Sequence, residues 1–302
     1  MEQASAVFGA AAAVVAAFVW AVASTAYSRA AIENPPFVVN ATRIVVGTVI
    51  LSVVCTVRPD GWGAVTSIEA HHIWWMVVAA LASFGFGDVL FLKAAHRIGV
   101  TTALSIGSCY PVLSTAVGIL WFKQPLSISL ACGIGAVMLG ICVVLRTSHS
   151  GGRETMPSNP SIAGIAYAVG ATACWAVLTV ATQQAALLLE PVVATLVKTA
   201  LGLVVCIPIG YLMERSIRYP FLRGNDLRSL LPILGFEMGV GAFCYTYAYQ
   251  HAPLAVAATL ASTHPLFALL LAVRAKRERL SWAKLLGISV VILGISLVVS
   301  GS

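Results

Sequence analysis

Ten long apolar runs separated by short polar breaks occupy nearly the whole chain. They cover about 6–31, 35–57, 72–95, 100–121 and 127–145, then 162–187, 191–213, 229–250, 253–274 and 282–300. Each is long enough to cross a hydrocarbon layer of ~30 Å as a helix, which takes about 20 residues. None shows the alternation over ~10 residues that marks a membrane strand. The pattern therefore predicts an all-α integral membrane protein with ten transmembrane helices. The breaks carry turn residues: Asn34-Pro35-Pro36, Pro59-Asp60-Gly61, Glu190-Pro191 and Pro253. The one extended polar stretch, Arg146–Ser161, is rich in Gly, Ser, Pro and charge and marks a seam.

The chain on one side of the seam repeats on the other. Trp20, Pro36, Arg43 and Gly47 recur 155 positions later as Trp175, Pro191, Lys198 and Gly202. After a one-residue slip, Gly87, Pro111, Leu126, Gly133 and Gly140 recur 154 later as Gly241, Pro265, Leu280, Gly287 and Gly294. Five spans per copy is an odd number, so the copies are expected to face opposite ways. Inverted repeats of this kind are common in secondary transporters. The expected organisation is two inverted five-helix repeats, 1–149 and 162–302, joined by a linker at 150–161.

Composition narrows the class. Residues are 59% hydrophobic and only 10% charged, against roughly 25% charged in a soluble domain, so no separate soluble domain is expected. The start, MEQASAVFG, lacks a basic leader region, and the first run is read as an uncleaved span. The net charge of +7 follows the loops and is no nucleic-acid footprint. With Arg43 and Lys198 set aside inside spans, 14 basic residues fall on one face and only Arg58 and Lys123 on the other. The positive-inside rule makes the heavy face cytoplasmic and puts both termini on the non-cytoplasmic side of a cell (inner or plasma) membrane. All seven cysteines fall inside apolar runs, without metal-ligand spacing or a disulfide framework.

Two segments carry a family resemblance: YPVLSTAVGILWFKQPLSISLACGIGAVMLG in the first half and HPLFALLLAVRAKRERLSWAKLLGISVVILG in the second. Both read Pro, apolar helix, short charged turn, Leu-Ser, then two glycines seven apart. They resemble the paired EamA domains of the drug/metabolite transporter superfamily, and the resemblance covers essentially the whole chain. The turn Glu common in that pattern is kept at Glu278, while its counterpart is Gln124. The resemblance implies ten helices in two inverted repeats that move small metabolites, often outward. Phosphate and nucleotide-sugar relatives place a Lys-Arg pair in the ninth helix, and the span LAVAATLASTHPLFALLLAV has none.

A charge at the centre of a bilayer costs at least ~2.5–3.5 kcal/mol, so ionisable residues inside spans are functional candidates. Arg43 and Lys198 each lie about 10 Å into their helices, counted from Pro36 and Pro191 at 1.5 Å per residue. Both are candidate substrate contacts, the alternative being that they snorkel to the interface. Asp88 is a candidate partner for Arg43 or a proton-linked group. Glu237 has no evident partner at its depth and is a second proton-coupling candidate. Tyr110-Pro111 and His264-Pro265 occupy matching positions near the midplane, where proline frees a carbonyl near Gly107 and Ala261 or simply kinks the helix. His264 leads the proton candidates, because an unperturbed imidazole titrates at about pH 6.5. Trp20 and Trp175 sit mid-helix, away from the interfacial belt. With Phe84, Phe86, Tyr245, Tyr247 and Tyr249 they are candidates for an aromatic cavity, Tyr245 and Tyr249 sharing one helix face.

The leading expectation is a secondary transporter, an exporter of amino acids or related amphiphilic anions or zwitterions. Its partners would be a small-molecule substrate, the lipid bilayer and, for coupling, protons, with no cofactor and no metal. A proton-coupled multidrug or lipophilic-cation exporter is the alternative, with Glu237 as its acid. An integral-membrane enzyme fits least, since no catalytic set or phosphate loop is evident and His71-His72 are adjacent on a helix and diverge.

Overall fold

The computed structural model describes residues 2–59, 61–148, 161–187, 189–213, 219–275 and 280–301. The linker at 150–160, the turn 276–279 with Glu278, and Arg153, Arg215 and Arg218 lie outside the described residues. Among the described residues all regular structure is helical, and ten helices are long and apolar enough to cross a membrane. The first half contains α1 (Glu2–Glu33), α2 (Pro36–Val57), a short α3 (Gly61–Thr66), α4 (Ala70–Ile98), α5 (Val100–Gly107), α6 (Tyr110–Leu120) and α7 (Ile128–Ser148). The second contains α8 (Ile162–Ala186), α9 (Pro191–Met213), α10 (Gly224–His251), α11 (Leu254–Ala261), α12 (His264–Arg274) and α13 (Trp282–Ser300). The pairs α5–α6 and α11–α12 each make one span, interrupted midway.

Local sequence explains the boundaries. α2 begins at Pro36, where a proline lacks only an N–H that the first turn leaves unpaired anyway. Ser281 caps α13 by accepting from the Lys284 N–H at 3.4 Å. Pro111 and Pro265 convert the expected kinks into breaks: the helix stops after Gly107 or Ala261 and restarts at Tyr110 or His264. Neither proline can donate to the preceding turn, so the chain spends two residues in turns before the next helix.

α4 and α10 each pass through a wider π turn, at Leu81–Gly87 and Glu237–Gly241, in corresponding stretches of the two copies. Such insertions leave the ordinary carbonyl ladder out of step. In α4 the Phe84 carbonyl is taken instead by the Asn40 side-chain amide at 2.7 Å and the Cys206 thiol at 3.4 Å. Each π turn brings an acid to the interior, Asp88 immediately after the first and Glu237 at the start of the second.

The two halves interleave. α1 packs along α10, α11 and α12, while α8 packs along α4, α5 and α6, so the first helix of each half lies against the third and fourth spans of the other. α7 and α13 meet at a glycine seam. A Cβ on Gly140 would stand 2.7 Å from the Gly287 carbonyl oxygen, and one on Gly133 would stand 2.8 Å from that of Gly294. Close backbone approach of this kind is how membrane helices pack when little else drives them together. Contact order reverses along the seam, Gly133 meeting Gly294 and Gly140 meeting Gly287, so α7 and α13 run antiparallel.

Candidate functional site

Helices of both halves surround a cavity of about 120 Å³ at the centre of the bundle, and ten of the residues singled out from the sequence line it, the nine named next and Phe84. Trp20 comes from α1, Arg43 from α2, Asp88 from α4, Tyr110 from α6, Trp175 from α8, Lys198 from α9, Glu237 and Tyr245 from α10, and His264 from α12. Ser83, Phe84, Leu178, Met238 and Ala242 fill the wall between them. Both helix breaks open here: Tyr110 and His264 are the first residues after their interruptions, which is why they reach the cavity.

One guanidinium organises the charged wall. Arg43 Nη1 donates to Asp88 Oδ2 at 2.8 Å and to Asn40 Oδ1 at 3.0 Å. Its Nε and Nη2 donate to the two oxygens of Glu237, each at 3.3 Å. This is the planar fork that arginine offers and lysine does not. The carboxylates are further held by neutral donors. Trp175 Nε1 donates to Asp88 Oδ1 at 3.0 Å, Ser83 Oγ to Asp88 Oδ2 at 3.3 Å, and the Tyr27 hydroxyl to Glu237 Oε2 at 2.8 Å. The guanidinium carbon also lies 5.2 Å from the Trp20 and Tyr27 ring centres and 5.5 Å from that of Phe84, within cation–π range. Charges this deeply buried persist only when their hydrogen bonds are met, and here they are.

Lys198 differs. It is 7% exposed and, among the described residues, makes no ion pair or hydrogen bond; the Tyr245 ring lies 5.3 Å from its ammonium. His264 is 2% exposed, its Nδ1 facing the Ala261 carbonyl at 3.4 Å while its buried Nε2 has no partner. That contact occupies the carbonyl that Pro265 frees. Trp20 and Trp175, equivalent positions of the two copies, meet edge to face with ring centres 6.3 Å apart. Tyr110 donates to the Ala258 carbonyl at 3.1 Å, and Tyr245 packs on Tyr249 at 4.6 Å. The site is thus an aromatic chamber with one tied arginine, one untied lysine and one imidazole nitrogen without a partner.

Three expectations change. Glu237 does have partners at its depth, Arg43 and Tyr27, reached across the two halves. The centre does not carry two open cations: Asp88 and Glu237 offset Arg43 and Lys198 in formal charge, and Arg43 is the one they hold. Phe86 is 40% exposed and outside the chamber, and Tyr247 stacks on His251 at 4.0 Å, because neither shares the helix face of Phe84 or Tyr245. Two contributors were missed, Tyr27 and Asn40. Each had a positional signal, Tyr27 two turns along α1 from Trp20 and Asn40 one turn before Arg43. Among the described residues no cluster of His, Cys, Asp and Glu could hold a metal ion.

The sequence pattern of the EamA-like transporter family matches twice, over residues 7–146 and 162–300. The chain is 24% identical over 284 residues to an uncharacterized transporter of Archaeoglobus fulgidus, covering 93% of this chain and 94% of that protein. A solved structure titled "Crystal structure of protein" matches with a TM-score of 0.76 over 99% of this chain and 98% of its own, at 16% identity, a likeness of fold alone.

Proposed function

We propose, for a chain that belongs to the EamA-like transporter family and is therefore a multi-pass cell-membrane transporter of small molecules and not an enzyme, that the central chamber is its substrate site. Transport runs by alternating access, with two inverted five-helix repeats, 1–149 and 162–302, rocking about the chamber. The antiparallel seam of α7 and α13 supports the inversion. Exchanging the halves turns the Gly133–Gly294 contact into the Gly287–Gly140 contact, as a two-fold axis in the membrane plane requires. The cargo is an amphiphilic metabolite, an amino acid or a related anion or zwitterion, and export is the favoured direction. The observation that carries this reading is an untied lysine in a chamber walled by Trp20, Trp175, Tyr110 and Tyr245.

Proton coupling belongs to His264 in this reading, since Asp88 and Glu237 are both held by Arg43. The same pairing disfavours a lipophilic-cation exporter, which needs an acid free to exchange cation for proton. Counterflow in proteoliposomes tests the proposal. A labelled metabolite should accumulate against its unlabelled internal pool with the wild-type protein and not with Ala242→Phe, which fills the chamber wall. Undiminished exchange by that variant would move the substrate path elsewhere.

A further inference from the structure

Resting on that reading, the geometry points to a narrower cargo: a monocarboxylate with an apolar body and no ammonium group, bound through Lys198, with His264 serving an uncharged donor such as a neighbouring hydroxyl.

An α-amino acid brings two charges into a dry chamber and needs an acceptor for its ammonium as well as a donor for its carboxylate. The chamber holds two acids, and every carboxylate oxygen already has a donor. Asp88 Oδ1 accepts from Trp175, and Oδ2 from Arg43 and Ser83. Glu237 Oε1 accepts from Arg43, and Oε2 from Arg43 and Tyr27. An ammonium reaching either acid must break a bond of Arg43 or sit beside two like charges.

The carboxylate end meets the opposite situation. Lys198 points three donors into the chamber, and among the described residues none is engaged by an acceptor. Both acids are tied to Arg43, so an entering carboxylate finds its cation in Lys198, which has no ion pair or hydrogen bond among the described residues. His264 completes the pattern. With Nδ1–H donating to the Ala261 carbonyl, the buried Nε2 is left as an acceptor without a donor. A neutral hydroxyl meets that need without adding a third cation to Arg43 and Lys198. The aromatic walls take the apolar body.

Matched ligands on two bodies test the proposal with the full chain in proteoliposomes. The benzyl series is 3-phenyllactate, 3-phenylpropionate, phenylalanine and phenethylamine; the isobutyl series is 2-hydroxy-4-methylpentanoate, 4-methylpentanoate, leucine and isopentylamine. Labelled carboxylates should exchange in counterflow, and each amino acid should compete at least about tenfold more weakly than its amino-free counterpart, with the amines weakest. The hydroxy acids should outcompete the deoxy acids, and His264→Phe should erase that margin. Lys198→Met, purified as a monodisperse protein, should lose the preference for each carboxylate over its primary amide. Exchange of phenylalanine or leucine at or above the level of its amino-free counterpart would overturn the proposal while leaving transport standing. Failure of both series would also overturn it, and a wider metabolite panel in the same vesicles then decides the transport reading separately.

Discussion

Arg43 and Lys198 occupy equivalent places in the two copies, yet their removal should have opposite consequences for stability. Arg43→Met deletes the shared partner of Asp88 and Glu237, whose side chains are 5% and 8% exposed. Removing one member of a buried ion pair costs about 3–5 kcal/mol, because the charge left behind is neither hydrated nor matched. Trp175, Ser83 and Tyr27 remain as donors and limit the loss, so the lower part of that range is expected. At roughly 2–4 °C per kcal/mol this lowers the melting temperature by on the order of 10 °C. Lys198→Met removes a buried charge that has no ion pair and keeps an unbranched side chain of similar length, so its melting temperature should equal or exceed the wild-type value. Intrinsic-fluorescence melts of the purified variants in one detergent measure both. Adding Asp88→Asn and Glu237→Gln to Arg43→Met should recover much of the loss, since the three act as one network. A melting temperature for Arg43→Met within about 2 °C of wild type, or an equal fall in Lys198→Met, would refute the assignment of one tied and one untied cation.

Three further outcomes are expected. Gly140→Ala places a methyl group against the Gly287 carbonyl and the Val291 amide at 2.7 and 2.9 Å and should destabilise by about 1–3 kcal/mol, whereas Gly135→Ala, with no atom within 4 Å, should melt like wild type. The positive-inside expectation that both termini are non-cytoplasmic predicts that a cytoplasm-active reporter inserted at Gly224 gives signal and one fused after Ser302 does not; activity at the C-terminus would reverse the orientation. His264→Gln keeps a hydrogen-bonding group but cannot titrate between about pH 5 and 8, so it should still exchange substrate while losing acceleration by a pH gradient. If the response survives in His264→Gln and vanishes in Glu237→Gln, the coupling group is the acid.

The span pattern was legible because nothing else accounts for ten long runs with most of their charges at the ends. All ten spans lie within a few residues of the expected positions. Seven chamber residues, Trp20, Arg43, Asp88, Trp175, Lys198, Glu237 and His264, were legible for a related reason: charge, imidazole or mid-helix tryptophan in an apolar run demands a polar or buried setting, and one chamber supplies it for all of them. Pairing was not legible. Glu237 meets Arg43 across 194 positions and Tyr27 across 210, and hydropathy carries no register between helices so far apart. The π turns were equally silent, since apolar composition is the same whether the ladder runs four or five residues back. Prolines 111 and 265 announced a disturbance, but its size depended on turns that only neighbouring helices could stabilise.

What the duplication hides is more consequential than what it reveals. The bases recur in both copies, but the acids do not: the counterpart of Asp88 is Ala242 and that of Glu237 is Ser83. All four positions line the same chamber, so the two copies have contributed equivalent wall positions and filled them differently. Ser83 now donates to Asp88, and Ala242 leaves open wall. Had each acid stayed with the base of its own half, Arg43 and Lys198 would each be matched and no cation would be left without a partner. Instead both acids converge on Arg43, Glu237 crossing from the second half to do so. That convergence breaks a symmetric pair of cations into a tie between the halves and a buried charge without an ion pair, the one proposed to meet the cargo. The guanidinium is suited to the tie, because its fork serves two carboxylates at once, and the ammonium to recognition, because its three donors can turn toward whatever enters.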